Sequence, residues 1–127
     1  GDIVHPILTW TDPEIIPGTR RIPKYPRSAR KGGVAARLVL FVVIDEEGSV
    51  TSVQVGKLQR LSVAACAEGR LEDEKTDIPV GIQRDLAEAA AHALLKWRYT
   101  PALRNGKPTK IFRAELMEFC PRSAPSP

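Results

Sequence analysis

The side chains that could take part in chemistry are two histidines, a run of acids and two cysteines. His5 and His92 have no second ligand at metal-binding spacing, so each is expected to be a surface or packing residue. The acids at residues 45–47 precede Gly48 in a predicted turn, where water solvates carboxylates and acid–base catalysis is not favoured. The sequence also has no phosphate-binding glycine loop and no Gly-x-Ser-x-Gly motif. These observations predict a protein that is not an enzyme and that holds no metal or cofactor.

Cys66 and Cys120 are the two cysteines of the chain and lie far apart in it. They do not form a Cys-x-x-Cys pair, which argues against a zinc site or a thioredoxin-like site. In an oxidising compartment they could form a disulfide that joins the middle of the chain to the end of its last strand. Two separate free thiols are the alternative, and the sequence leaves both open.

Positive charge is concentrated in two stretches, although the formal net charge is only +4. The first has no acidic residue and contains Arg20, Arg21, Lys24, Arg27, Arg30 and Lys31. The second follows the longest predicted helix and contains Lys96, Arg98, Arg104, Lys107 and Lys110. A solvated surface accounts for both, and a basic face for an anionic partner is the alternative. Because aromatic residues make up only 6% of the chain, few are available to stack on bases, and nucleic acid is not an expected partner.

Length and hydropathy predict one globular domain that does not cross a membrane. The chain has 127 residues, and its longest apolar run, residues 38–44, is seven residues long. A spanning helix needs about 20. Because the chain begins with Gly1 rather than Met, we expect it to be a piece of a longer protein.

Composition divides the chain into three parts. Residues 1–19 are rich in proline and apolar side chains, which predicts an irregular arm laid over the domain and anchored by Trp10. Residues 20–119 are predicted to form the domain, with an insertion at residues 56–81. Residues 120–127 are predicted to be a flexible tail.

Hydrophobic periodicity predicts the first half of the domain. Residues 25–33 are predicted to form a short helix, with Pro26 at its first position and glycines at its end. Residues 34–44 alternate with apolar side chains on both faces, which indicates a central strand. A hairpin turn at residues 45–48 then leads into a return strand at residues 50–55.

The second half is predicted to be a helix and a terminal strand. Residues 82–97 place apolar side chains three and four positions apart, which predicts one amphipathic helix that must end before Pro101. Asn105-Gly106 predicts a turn, and residues 109–119 predict the final strand. The predicted class is α+β, a small antiparallel sheet of about three strands with two helices on one face.

Five short motifs occur in the order and spacing of a known domain family. They are Tyr25-Pro26-x-x-Ala29-Arg30, Gly33 at the start of a strand, Val43-Ile44-Asp45-x-x-Gly48-x-Val50, Ala89-Ala90 leading to Trp97-Arg98-Tyr99-x-Pro101-Ala102, and Asn105-Gly106-Lys107-Pro108. On these motifs, the chain from about residue 20 to residue 119 resembles the TonB C-terminal domain family. Its segment at residues 56–81 is longer than the usual link between the hairpin and the second helix.

The resemblance implies a periplasmic energy-transducer domain with the TonB/TolA C-terminal fold. Such domains end an inner-membrane-anchored protein that has one N-terminal transmembrane helix and a proline-rich spacer, so any membrane attachment is expected through an anchor outside this chain. The implied partners are the ExbB–ExbD motor and the TonB box peptide of a TonB-dependent outer-membrane transporter. The domain grips the TonB box by β-strand addition, also called β-augmentation, and transmits a pull driven by the proton-motive force.

The family pattern also implies a binding site. The last strand, residues 110–118, is the pairing edge. The partner-binding residues are Lys110, Phe112, Arg113, Ala114, Glu115 and Leu116, with Arg20 and Arg21 as side contacts. Trp97 and Tyr99 are expected to hold the helix end against the sheet.

A periplasmic adaptor of the same fold is the alternative function. Such a protein, TolA-like or a TonB paralogue, would bind another envelope protein. The long segment at residues 56–81 favours this alternative, since it could cover or reshape the pairing edge.

Overall fold

The computed structural model of the protein describes residues 9–62, 64, 66 and 77–121. The strands and helices along them are β1 Trp10–Thr11, α1 Arg27–Lys31, β2 Ala35–Ile44, β3 Val50–Leu61, α2 Val80–Leu94, β4 Ala102–Arg104, β5 Lys107–Thr109 and β6 Ile111–Phe119. The predicted α+β class is confirmed. Residues 1–8, which include His5, most of residues 63–76 of the insertion, and residues 122–127 of the predicted tail lie outside the described residues.

The main sheet has the strand order β3-β2-β6, and both pairings are antiparallel. β2 is the central strand, as its sequence predicts, because apolar side chains on both faces suit a strand with a neighbour on each side. Its even-numbered residues, among them Leu38, Leu40 and Val42, are fully buried beneath the helices. Its odd-numbered residues lie on the other face, which we call the open face and on which Phe41 is 48% exposed.

Both helices pack on the same face of the main sheet. Ala29 of α1 and Leu86, Ala90 and Leu94 of α2 belong to one buried cluster with the even-numbered side chains of β2. The small alanines let α2 approach the sheet closely, and burying each leucine contributes roughly 1.5–3 kcal/mol. Among the described residues, no helix is long and apolar enough to span a bilayer.

The hairpin between β2 and β3 turns at Gly48 and docks there on Tyr99. Gly48 has φ +85°, and a Cβ at this position would lie 1.8 Å from the carbonyl oxygen of Tyr99. The amide of Tyr99 donates to the carbonyl of Gly48 over 2.9 Å, and Ser49 forms an isolated bridge with Arg98. A side chain at position 48 is therefore excluded both by backbone conformation and by space.

β3 is longer than the predicted return strand. It continues to Leu61, whereas the return strand was predicted to end at residue 55. Two shifts in its register with β2 absorb extra residues, one of them next to Gly56. A Cβ on Gly56 would lie 2.1 Å from the ring of Phe41, so the glycine gives this ring its place on the open face.

A second small sheet, which the sequence did not predict, has the order β1-β4-β5. β4 and β5 are joined by the predicted turn, where Asn105 has φ 51° and Gly106 has φ 77°. Two successive positive φ values are typical of the turn that matches the twist of a tight hairpin. Because Lys107–Thr109 pair with β4, the terminal strand β6 begins at Ile111 rather than at the predicted residue 109.

Cys66 and Cys120 are joined by a disulfide. Their Cα atoms are 5.7 Å apart and their sequence separation is 54 residues. Cys120 directly follows β6, so the bond ties the end of this strand to the segment that follows β3. Closing a loop of this size contributes about 4 kcal/mol to stability in the chain-entropy model.

Candidate functional site

The direction of the backbone groups in β6 follows from the hairpin. The amide of Asp45 donates to the carbonyl of Ser49 over 2.9 Å, on the side of β3. Because backbone groups alternate sides along a strand, the odd-numbered residues of β2 face β3 and the even-numbered ones face β6. The register pairs those even-numbered residues with odd-numbered residues of β6, for example Leu40 with Glu115. The amides and carbonyls of the even-numbered residues of β6 therefore point away from the sheet.

This outer edge of β6 has no strand neighbour within the part of the chain that the structure describes. The residues whose backbone groups face outward are Phe112, Ala114, Leu116 and Glu118. Their side chains lie on the open face, where Phe112 is 80% exposed and Leu116 is 49% exposed. The edge therefore offers an incoming strand both hydrogen-bonding groups and apolar side chains.

Arg113 and Glu115 turn inward and are used within the domain. The buried Tyr99 hydroxyl donates to Glu115 Oε1 over 2.7 Å, and Arg113 Nε lies 2.7 Å from the same oxygen. Arg113 also donates through Nη1 to the carbonyl of Pro13 over 3.1 Å, which links β6 to the arm. Burial, reinforced by the hydrogen bond to the carboxylate, raises the pKa of Tyr99 well above that of a free tyrosine.

The arm at residues 9–19 is held by its main chain. Its carbonyls at Glu14 and Thr9 accept from the amides of Thr100 over 2.7 Å and Asn105 over 2.9 Å. Its amide at Ile16 donates to the carbonyl of Arg98 over 2.8 Å. The arm thus runs as an added antiparallel strand along residues 98–105.

The prediction that Trp10 anchors the arm is wrong. Its side chain is 53% exposed, and its indole Nε1–H donates to Asp12 Oδ1 over 2.7 Å. Backbone hydrogen bonds, rather than burial of the Trp10 ring, therefore hold the arm.

A groove runs between the outer edge of β6 and the chain that precedes α1. One part is a cavity of about 700 Å³ between Trp10, Asp12 and Pro13 on one side and residues 110–114 on the other. A second cavity, of about 430 Å³, lies between residues 20–23 and residues 116–118, with Trp97 beside it. The groove therefore follows β6 along most of its length.

Arg20 and Arg21 line the second cavity. The guanidinium of Arg20 lies 5.3 Å from the centre of the Trp97 ring, and the carbonyl of Arg21 accepts from Trp97 Nε1 over 2.9 Å. Trp97 and Tyr99 are 2% and 1% exposed, so both pack inside the domain. The arginines thus border one half of the groove, and Lys110 and Arg113 border the other.

The residues that the family resemblance implied as partner-binding fall into two groups in the structure. Phe112, Ala114 and Leu116 present their side chains and backbone groups outward, whereas Arg113 and Glu115 have partners within the domain. Sequence reasoning missed the far wall of the first cavity, formed by Trp10, Asp12 and Pro13. A tryptophan in a proline-rich segment was the available signal, although it was interpreted as a packing anchor.

The chemistry of the groove is that of a binding surface. In the described part of the chain, no three residues among His, Cys, Asp and Glu stand close enough to hold a metal ion. The groove combines vacant main-chain groups, exposed apolar side chains and positive charge. This combination suits an extended peptide that carries apolar side chains.

The chain is similar to curated proteins named Protein TonB from two strains of Xanthomonas campestris pv. campestris. Each is 32% identical over 85 residues, which cover 67% of this chain and 28% of the relative. The matched part therefore spans less than a third of the length of these relatives. No family model matches the chain.

Proposed function

Because this chain belongs to the TonB C-terminal domain family, we propose that it is the partner-binding domain of a periplasmic energy transducer. It captures the TonB box of an outer-membrane transporter as an added strand along the outer edge of β6. It acts by binding and not by catalysis. The observation that supports this proposal is the row of outward backbone groups at Phe112, Ala114, Leu116 and Glu118 beside a groove.

Main-chain pairing alone would give weak capture. Each hydrogen bond contributes about 0.5–1.5 kcal/mol, whereas ordering each peptide residue costs about 1–2 kcal/mol. The surplus must come from burial of side chains. The exposed rings and methyl groups of Phe41, Phe112 and Leu116 on the open face supply apolar surface for it. Arg20 and Arg21 add attraction for an acidic residue of the peptide.

The remainder of the transducer lies outside this chain in the proposal. An inner-membrane anchor and spacer connect the domain to an ExbB–ExbD motor, and a pull that originates there reaches the transporter through the β6 edge. The arm at residues 9–19 is the part of the domain through which this pull enters.

Proline at Ala114 tests the pairing edge. Ala114→Pro removes an amide that points away from the sheet, so the variant is expected to fold and to lose at least tenfold in affinity for the box. Ala114→Ser keeps the amide and is the matched control. Binding of a peptide from the box of a transporter encoded in the same genome is measured by calorimetry, with circular dichroism to verify folding. Full affinity in a folded Ala114→Pro variant would exclude this edge.

A further inference from the structure

The first cavity of the groove has an aromatic side chain on each side and a small residue, Ala114, in its lining. Trp10 borders it from the arm and Phe112 from β6, and both rings are more than half exposed. Between Phe112 and Leu116 on the same face lies Ala114, whose single methyl group leaves the space open. The result is a recess of about 700 Å³ directly beside the vacant edge, with Asp12, Lys110 and Arg113 also in its lining.

Trp10 is held in position without being buried. Its backbone pairs with Arg104 in the small sheet, and its indole N–H donates to Asp12 over 2.7 Å. The carboxylate of Asp12 is thereby occupied. An aromatic ring that is fixed at the surface loses little conformational entropy when a ligand covers it.

We infer that this recess receives one large apolar side chain of the strand that adds to β6. The inference rests on the proposed function and adds to it a position of side-chain selectivity. A residue that pairs with Ala114 would direct its side chain to the open face, because directly opposed residues in a sheet share a face. Phe112 then flanks this side chain along the strand, and Trp10 borders the same cavity from the arm. A small residue at this position would leave both rings in contact with water.

A guest series tests the inference. The probes are blocked peptides of about ten residues carrying the transporter box, with leucine or alanine placed at each position in turn. With the unmodified domain, leucine is expected to bind about tenfold more tightly than alanine at one position. Trp10→Ala is expected to reduce this ratio to about twofold, and Ala114→Leu, which fills the recess, is expected to do the same. Val80→Ala is the control, since Val80 is 78% exposed on α2 and lies away from the groove.

Fluorescence quenching gives a second readout of the same contact. The chain has two tryptophans, and Trp97 is only 2% exposed, so acrylamide quenching reports mainly on Trp10. The leucine peptide is expected to protect Trp10 from quenching at least twofold more strongly than the alanine peptide does. Equal protection by the two peptides would contradict burial of the guest side chain against Trp10.

The outcomes separate the recess from the edge. If the leucine-to-alanine ratio is unchanged in Trp10→Ala and in Ala114→Leu while Ala114→Pro still abolishes binding, the recess is wrong and the proposed function stands. If Trp10→Ala weakens the binding of the leucine and alanine peptides equally, Trp10 supports the arm without selecting a side chain, and the inference is wrong. If Ala114→Pro binds with full affinity, the pairing edge itself is wrong.

Discussion

Residues 98–105 and β6 both carry rows of main-chain amides and carbonyls at an edge, and the two rows differ in what covers them. The first row receives the arm, through hydrogen bonds to Thr9, Glu14 and Ile16. The second row has no backbone partner within the described residues. The same kind of strand addition is therefore complete at one edge and vacant at the other.

The difference indicates what the proposed binding of a peptide at the vacant edge would require. The arm belongs to the same chain, so a few main-chain bonds suffice to hold it even with Trp10 exposed. A separate peptide must also overcome the loss of its own freedom on binding. The apolar side chains on the open face lie beside the vacant edge, where the proposed function needs this additional free energy.

The largest effect is expected from a substitution at Gly48, which supports residues 98–105, the edge that the arm covers. Gly48→Ala places a methyl group 1.8 Å from the carbonyl oxygen of Tyr99, within the row that the arm covers. We expect the free energy of unfolding to fall by about 4 kcal/mol in urea denaturation. Gly18→Ala is the matched control, because Gly18 has the same φ of +85° but no heavy atom within 4 Å of the added carbon. It is expected to lose only about 1–2 kcal/mol. Equal losses in the two variants would mean that the contact with Tyr99 contributes nothing.

A proline in the arm is expected to have the next largest effect. Ile16→Pro removes the amide that donates to Arg98, and we expect it to weaken docking of the arm by about 2 kcal/mol. Hydrogen exchange measured by NMR would then accelerate at the amides of Thr100 and Asn105, which donate to the arm. Ala114→Pro, at the vacant edge, is expected to leave both amides protected. Acceleration in both variants would show that the two edges are not independent.

The smallest expected effect concerns Tyr99, which lies in the filled row and donates to Glu115 of β6. Tyr99→Phe is expected to lower the free energy of unfolding by about 1 kcal/mol at neutral pH. Its pKa is raised in the folded state, so the stability from this hydroxyl is complete below the unfolded pKa of about 10 and falls as the pH rises above it. Urea denaturation at about pH 8 and about pH 11 is expected to show a smaller alkaline loss for Tyr99→Phe than for the unmodified domain. An equal alkaline loss of stability in the two proteins would contradict a contribution of the Tyr99 hydroxyl to this pH dependence.

The sequence predicted the elements that carry a long periodic pattern. β2 and α2 were placed to within two or three residues, since alternation and helical spacing persist along both. β4 and β5 have three residues each and β1 has two, so no periodicity can develop in them. β4 and β5 form because the Asn105-Gly106 turn brings them together, and β1 forms because the arm pairs with β4.

The predictable part of the site was the choice of strand. The motifs around Trp97 and Asn105 predicted β6 as the terminal strand, which the structure confirms, and the family resemblance implied it as the pairing edge, which stays a prediction. The course of the arm was not predictable, because main-chain bonds to residues 98–105 set it and leave no side-chain pattern. The error over Trp10 has this origin, since a large apolar residue is most often buried. Whether the proposed residues bind a partner stays a prediction.

The direction of the arm has a mechanical consequence. Thr9 pairs at Asn105 and Ile16 at Arg98, so tension on the chain before Thr9 would break these bonds one after another, beginning at Asn105. Peeling in this order needs less force than breaking all the bonds together. Detachment of residues 9–19 would release roughly 35 Å of extended chain before tension reached the core. The disulfide of Cys120 fixes the end of the last strand of that core.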